Sequence, residues 1–197
     1  MSDKNSPLIL GTEPIGKLLT QYAIPAIIAM TASSLYNMAD SIFIGHGVGA
    51  MGIAGLALTF PLMNLAAAFG SLVGVGASTL VSVKLGQKDY EGANNVLGNV
   101  FMLNLIMGVA FSVVFLLFLD PVLYFFGASE QTISYARDYM QIILYGNVIT
   151  HMYLGLNSVL RSSGYPKMAM FATLLSVVVN CLLNPLFIFV LGWGIKG

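Results

Sequence analysis

Asp40 is the only Asp, Glu, Lys or Arg between Lys17 and Lys84. It lies in the apolar stretch Ser33-Ser34-Leu35-Tyr36-Asn37-Met38-Ala39-Asp40-Ser41-Ile42-Phe43-Ile44. A carboxylate in such surroundings can exchange its charge for a proton, hold a cation among neighbouring oxygen ligands, or simply join helices through hydrogen bonds to neighbouring Asn or Tyr groups. Helical spacing places Ser33, Tyr36, Asn37 and Asp40 within about one third of a helix circumference, a polar stripe on an otherwise apolar segment. Thr173, Ser176, Asn180 and Asn184 form a second stripe by the same arithmetic. On a third segment Asn147 shares a face with His151, and Asn157 with Arg161. The expectation is that these three segments offer polar faces to something they enclose.

The elements that carry these residues follow from composition. The chain has 197 residues, 57% hydrophobic and 8% charged, whereas a soluble domain carries roughly a quarter charged. Residues 52–83, 93–119, 139–160 and 168–195 contain no Asp, Glu, Lys or Arg, and Asp40 alone interrupts 18–45. Each run exceeds the ~20 residues that an α-helix needs to cross a bilayer core. The expected fold is therefore an all-α polytopic membrane protein with five transmembrane helices. The spans are placed at about 18–45, 52–83, 93–119, 135–160 and 168–192, after an amino-terminal segment 1–17.

Charges between the spans set the orientation. Lys4 and Lys17 precede the first span, Lys84 and Lys88 join the second and third, and Arg161 and Lys167 join the fourth and fifth. Of the opposite connections, the first lacks Lys and Arg, and the second holds only Arg137. The positive-inside rule then puts the amino terminus and the basic loops in the cytoplasm. An odd number of spans, and an ending in Gly192-Trp193-Gly194-Ile195-Lys196-Gly197 that reads as a loop into another helix, lead to the expectation of a partial chain.

Several function classes fall away. The balanced net charge, with no basic stripe carrying aromatic residues, gives no reason to expect nucleic acid. There is no His-Glu-x-x-His metal motif, no Gly-x-Ser-x-Gly nucleophile and no intramembrane pair of acids, so an enzyme is not expected. Cys181, the single cysteine, excludes an intramolecular disulfide and reads as a small packing residue. Gly70, Gly74 and Ser78 recur every four residues, the small-xxx-small pattern of closely packed membrane helices. Pro25 and Pro61 each remove a helix hydrogen bond, and Pro25 is a candidate hinge in the first span. His151 reads as a satisfied histidine, and Tyr139 and Tyr145 as interfacial or packing residues.

The chain resembles the amino-terminal lobe of the multidrug and toxic compound extrusion (MATE) transporters. The resemblance rests on Pro14-Ile15-Gly16-Lys17-Leu18-Leu19, Ile24-Pro25, Leu35-Tyr36-Asn37 with Asp40, Leu85-Gly86-Gln87-Lys88-Asp89-Tyr90-Glu91-Gly92-Ala93 and Phe126-Gly127-Ala128-Ser129. Leu160-Arg161-Ser162-Ser163-Gly164-Tyr165-Pro166-Lys167 and Asn180-Cys181-Leu182-Leu183-Asn184-Pro185 are its most telling parts. It implies a complete protein of twelve helices in two lobes, of which these five would be most of the first. The sixth helix and the second lobe would then be a missing partner. It also implies a bacterial cell-membrane antiporter that exports amphipathic, often cationic, small molecules in exchange for protons or sodium.

By the same resemblance Asp40, Asn180 and Asn184 are the expected cation-coupling residues, and sodium would sit at Asp40 and Asn180. Tyr36, Asn37 and Asn157 are expected to line the substrate cavity. This sequence has Asn184 where one branch of the family carries a second Asp, and an Asn cannot take up a proton. A lipid-linked saccharide flippase of the wider superfamily is the weaker transport reading, because no Arg or Lys lies mid-span to meet a pyrophosphate. A non-transporting membrane scaffold is the alternative for a chain naturally this short.

Overall fold

The computed structural model describes residues 13–196; Lys4 and most of the segment 1–17 lie outside the described residues. Five long helices follow one another: α1 (Ile15–Gly47), α2 (Ala50–Gly86), α3 (Tyr90–Leu117), α5 (Ile133–Ser162) and α6 (Pro166–Pro185). A short α4 (Leu119–Phe125) lies between α3 and α5, and α6 continues into a π-turn, Leu186–Val190. No strand occurs among the described residues. The third expected span ends early because Phe118 leaves helical geometry (φ −111°, ψ 20°). Pro121 then sits in the first turn of α4, where its missing N–H costs nothing.

α1, α2, α3 and the α6 segment through Val190 are long and apolar enough to cross a membrane. α5, the expected fourth span, is as long as the others at 30 residues but less apolar. Its position explains the difference. α5 packs on α2, α3 and α6 at once, so its faces meet protein where the outer helices would meet lipid. Its buried residues Ile133, Ala136, Met140, Leu144, Asn147, His151, Gly155 and Val159 follow three- and four-residue steps.

The small residues of α2 are used as their spacing predicts. A Cβ on Gly74 would fall 2.6 Å from Gly155 Cα, and one on Gly70 would fall 3.3 Å from His151 Cα. Gly108 of α3 closes the same seam from the other side, with a Cβ there 3.0 Å from Val148 Cα. Backbones this close leave room for interhelical hydrogen bonds. Ser112 Oγ donates to the Leu144 carbonyl at 2.8 Å, and Asn147 Nδ2 donates to Gly108 O at 3.3 Å and Ser112 Oγ at 3.2 Å. Asn147 and His151 thus knit α5 to α2 and α3; the expectation that they face an enclosed space gives way to close packing. Beyond the seam, an apolar cluster around Leu62, Phe111, Leu123, Met140 and Leu144 fills the end near α4.

The loops are fixed by local chemistry. Arg137 grips Asp120 through two bonds, Nε to Oδ1 at 2.6 Å and Nη2 to Oδ2 at 2.5 Å, tying α4 to α5. Gly164 ends the α5–α6 turn at φ 97°, a conformation that other residues rarely adopt, and Pro166 opens α6. Between α2 and α3, Asp89 caps α3 by accepting from the Gly92 N–H at 2.9 Å and takes a bond from Lys84 Nζ at 2.7 Å.

The Lys84 bond first, and then the Gly92 N–H, hold the Asp89 carboxyl below the usual carboxylate range. A lowered folded value means that the unfolded chain binds the proton more readily. The contribution is therefore complete above the ordinary carboxylate value of about 3.9 and is lost as pH falls through the folded one. Unfolding midpoints of the wild type and Asp89→Asn in detergent, compared from pH 6 to pH 3, are expected to converge only at the acid end. The α2–α5 contact gives a second prediction. Gly74→Val forces a side chain against backbone and should cost about 1–3 kcal/mol in a denaturant titration, whereas Gly76→Val, with nothing within 4 Å of its Cβ position, should cost much less.

Candidate cation site between α1 and α6

α1 packs chiefly on α6 and only lightly on α2. The two helices run in the same direction, so Asp40 and Phe43 of α1 meet Asn184 and Phe189 in the same order. Asn184 Nδ2 donates to Asp40 Oδ1 at 2.6 Å, the one hydrogen bond between side chains of these two segments among the described residues. Asn184 is buried and Asp40 half-buried. A charged acceptor makes such a bond stronger than a neutral one.

Other groups gather at the pair. Tyr36, one turn below Asp40, lies beside Asn184 and Cys181. Tyr139 of α5 is within electrostatic reach of both Asp40 and Tyr36, and its ring packs on the apolar cluster of Ile44, Leu56 and Ile188. Sequence reasoning read Tyr139 as an interfacial or packing residue, and it packs. It lies beside the buried stripe of α5, next to Met140, where spacing alone gives no hint of a partner on α1.

The polar stripes are only partly brought together. Asn180 does not reach Asp40; its Nδ2 turns back to the Ser176 carbonyl at 2.9 Å, and the residue is exposed. Asn184, one turn further on, is level with Asp40 and takes the position expected of Asn180. Asn37 is exposed on α1, and its carbonyl accepts from Ser41 Oγ at 3.0 Å. Pro25 is buried within an uninterrupted α1. Asn157 stands apart from the pair, at the opposite end of α6, where its Nδ2 donates to the Ala169 carbonyl at 3.1 Å and its Oδ1 accepts from Arg161 at 3.1 Å. Asn157 lines a cavity of about 440 Å³ with Leu97, Tyr153, Leu156, Leu160 and Tyr165.

Chemically, Asp40 and Asn184 present one carboxylate and one carboxamide. Among the described residues no cluster of three or more His, Cys, Asp or Glu could hold a metal ion. The donor set suits a proton, or a hard monovalent cation that completes its shell with water.

Long apolar helices packed on a central α5, with one carboxylate bonded between two of them, define a polytopic helical membrane protein. The MatE family model matches residues 25–186, and the chain belongs to that family. It is 31% identical over 183 residues to the multidrug export protein MepA of Staphylococcus haemolyticus, a match covering 93% of this chain and 40% of MepA. Among solved structures, a MATE protein in the straight conformation superposes with a TM-score of 0.90 at 32% identity, covering 100% of this chain and 43% of that one. One in the bent conformation superposes at 0.85 and 32% identity, covering 92% and 40%. The chain thus spans about 40% of the length of the MepA protein it matches.

Proposed function

We propose that this chain is the amino-terminal part of a cation-coupled multidrug exporter, with Asp40 as the group that takes up the coupling ion. One observation carries the reading: a lone carboxylate, bonded across α1 and α6 to Asn184 within otherwise apolar helices. An intramembrane acid is expensive and is kept where it moves or holds ions. Protonation or cation binding weakens the charge-assisted bond from Asn184, and so changes how tightly α1 is held to α6.

The coupling ion is a proton or sodium. In the sodium case, the Asn184 carboxamide oxygen joins the Asp40 carboxylate, and Asn180 reaches the site only by releasing its own helix. Tyr36 flanks the ion site, and Asn157, with the cavity beside it, is the contact for an amphipathic substrate; Asn37 faces the space that further helices of the exporter would close. Pro25 absorbs bending of α1. MepA is named as a multidrug export protein, and amphipathic, often cationic, compounds are the substrates proposed here. The basic loops support an amino terminus on the cytoplasmic side of a bacterial cell membrane.

The test is transport by the full-length exporter in vesicles, with pH and sodium gradients imposed separately. Asp40→Asn is expected to reduce gradient-driven export to background while expression is unchanged. Wild-type export by that variant would discard the coupling role, and export with neither gradient would discard secondary transport altogether.

A further inference from the structure

α6 does not end as an ordinary helix. Directly after Asn184, Pro185 lacks the N–H that would bond the Cys181 carbonyl, and the chain widens into the π-turn Leu186–Val190. The Leu191 N–H closes on the Leu186 carbonyl at 2.9 Å, a five-residue step. Five-residue closing bonds are common where helices end; this one is set apart by its place, directly after Pro185 and the buried Asn184.

This one faces the far end of α1. Ile188 fills the space that a Cβ on Gly47 would need and joins Ile44 and Leu56 in a buried cluster. Phe189 meets Phe43 edge to face at 6.3 Å. The turn therefore grips α1 within two turns of Asp40, and Asn184 at its base is bonded to that same carboxylate.

We propose that the π-turn Leu186–Val190 is a register hinge, a segment of α6 whose wide form is held by the Asp40–Asn184 bond and relaxes toward α-helical register when Asp40 takes up its ion. This rests on the reading of Asp40 as the coupling group, and it places the responding element in α6, apart from any bend at Pro25. A change of register there rotates Ile188 and Phe189 against α1, which opens or closes the α1–α6 contact at the α1–α2 loop end.

The protein carries its own reporter. Trp193, the only tryptophan of these 197 residues, stacks on Phe187 of the π-turn with ring centroids 5.0 Å apart and planes at 11°, and its backbone N–H donates to the Phe187 carbonyl at 3.0 Å. The titratable groups around the hinge are Tyr36, Asp40 and His46 of α1, Tyr135, Asp138 and Tyr139 of α5, Cys181 of α6 and Lys196, which pairs with Asp138 at 3.2 Å.

The experiment follows Trp193 emission of the full-length exporter in lipid nanodiscs, with every tryptophan outside these 197 residues replaced by phenylalanine, against pH without sodium and against sodium at fixed high pH. Proton uptake and radioactive sodium binding are measured on the same samples. The wild type is expected to give a sigmoidal emission change that is lost in Asp40→Asn and Asn184→Ala and retained in His46→Gln. Pro185→Ala, which restores the missing donor, is expected to keep Asp40-dependent ion uptake but lose the emission change, with helicity checked by circular dichroism. An unchanged transition in Asp40→Asn, Asn184→Ala or Pro185→Ala overturns the hinge. Asp40-dependent uptake with a silent Trp193 also overturns it and leaves the coupling role standing; absence of any Asp40-dependent uptake overturns the coupling role itself.

Discussion

The near-contact of α2, α3 and α5 backbones at Gly70, Gly74, Gly108 and Gly155 is the constraint on which the rest of the bundle depends. In lipid, helices gain nothing from hiding apolar surface from one another, so association rests on close packing and interhelical hydrogen bonds. The glycine seam supplies both. It makes α2, α3 and α5 a stiff unit and leaves α1 attached mainly through α6. The structure therefore divides into a fixed core and a helix pair whose mutual contact includes a single bond between polar side chains.

That division assigns different work to chemically similar residues. Asn147 bonds within the seam, and Asn157 ties α6 to α5 together with the Tyr153–Thr173 hydroxyl pair at 2.6 Å. These carboxamides meet backbone carbonyls, hydroxyls and, at Asn157, the Arg161 guanidinium, none of which loses its charge state readily. Asn184 meets Asp40, whose charge can change. Of these three carboxamides, only Asn184 is bonded to a carboxylate.

Much of the fold was legible in the sequence. Charge-free runs located the five long helices to within a few residues, and the four-residue recurrence of Gly70 and Gly74 announced the tight seam. The short α4 was hidden because its apolar residues continue those of α3, with only Phe118 breaking the helix. The site was half legible. Asp40 declared itself by isolation, but periodicity marks a face and does not fix how far one helix slides along another. It was that slide which selected Asn184 and left Asn180 bonded to its own backbone. Tyr139 was hidden for a related reason, since its partners lie on a helix almost a hundred residues earlier in the chain.

The residue at position 184 has an energetic consequence. With an amide there, Asp40 is the only acid in the interior of these spans, so an exporter coupled through it as proposed would draw on one carboxylate charge per cycle from this lobe. One charge crossing 100 mV releases about 2.3 kcal/mol, and each pH unit adds about 1.4 kcal/mol. At 100 mV, and with no pH difference, that work sustains a gradient of a neutral compound of about 50-fold at most. A second carboxylate would square that limit. On the proposed coupling, the amide would set a lower ceiling on accumulation, and each exported molecule would dissipate less of the membrane potential.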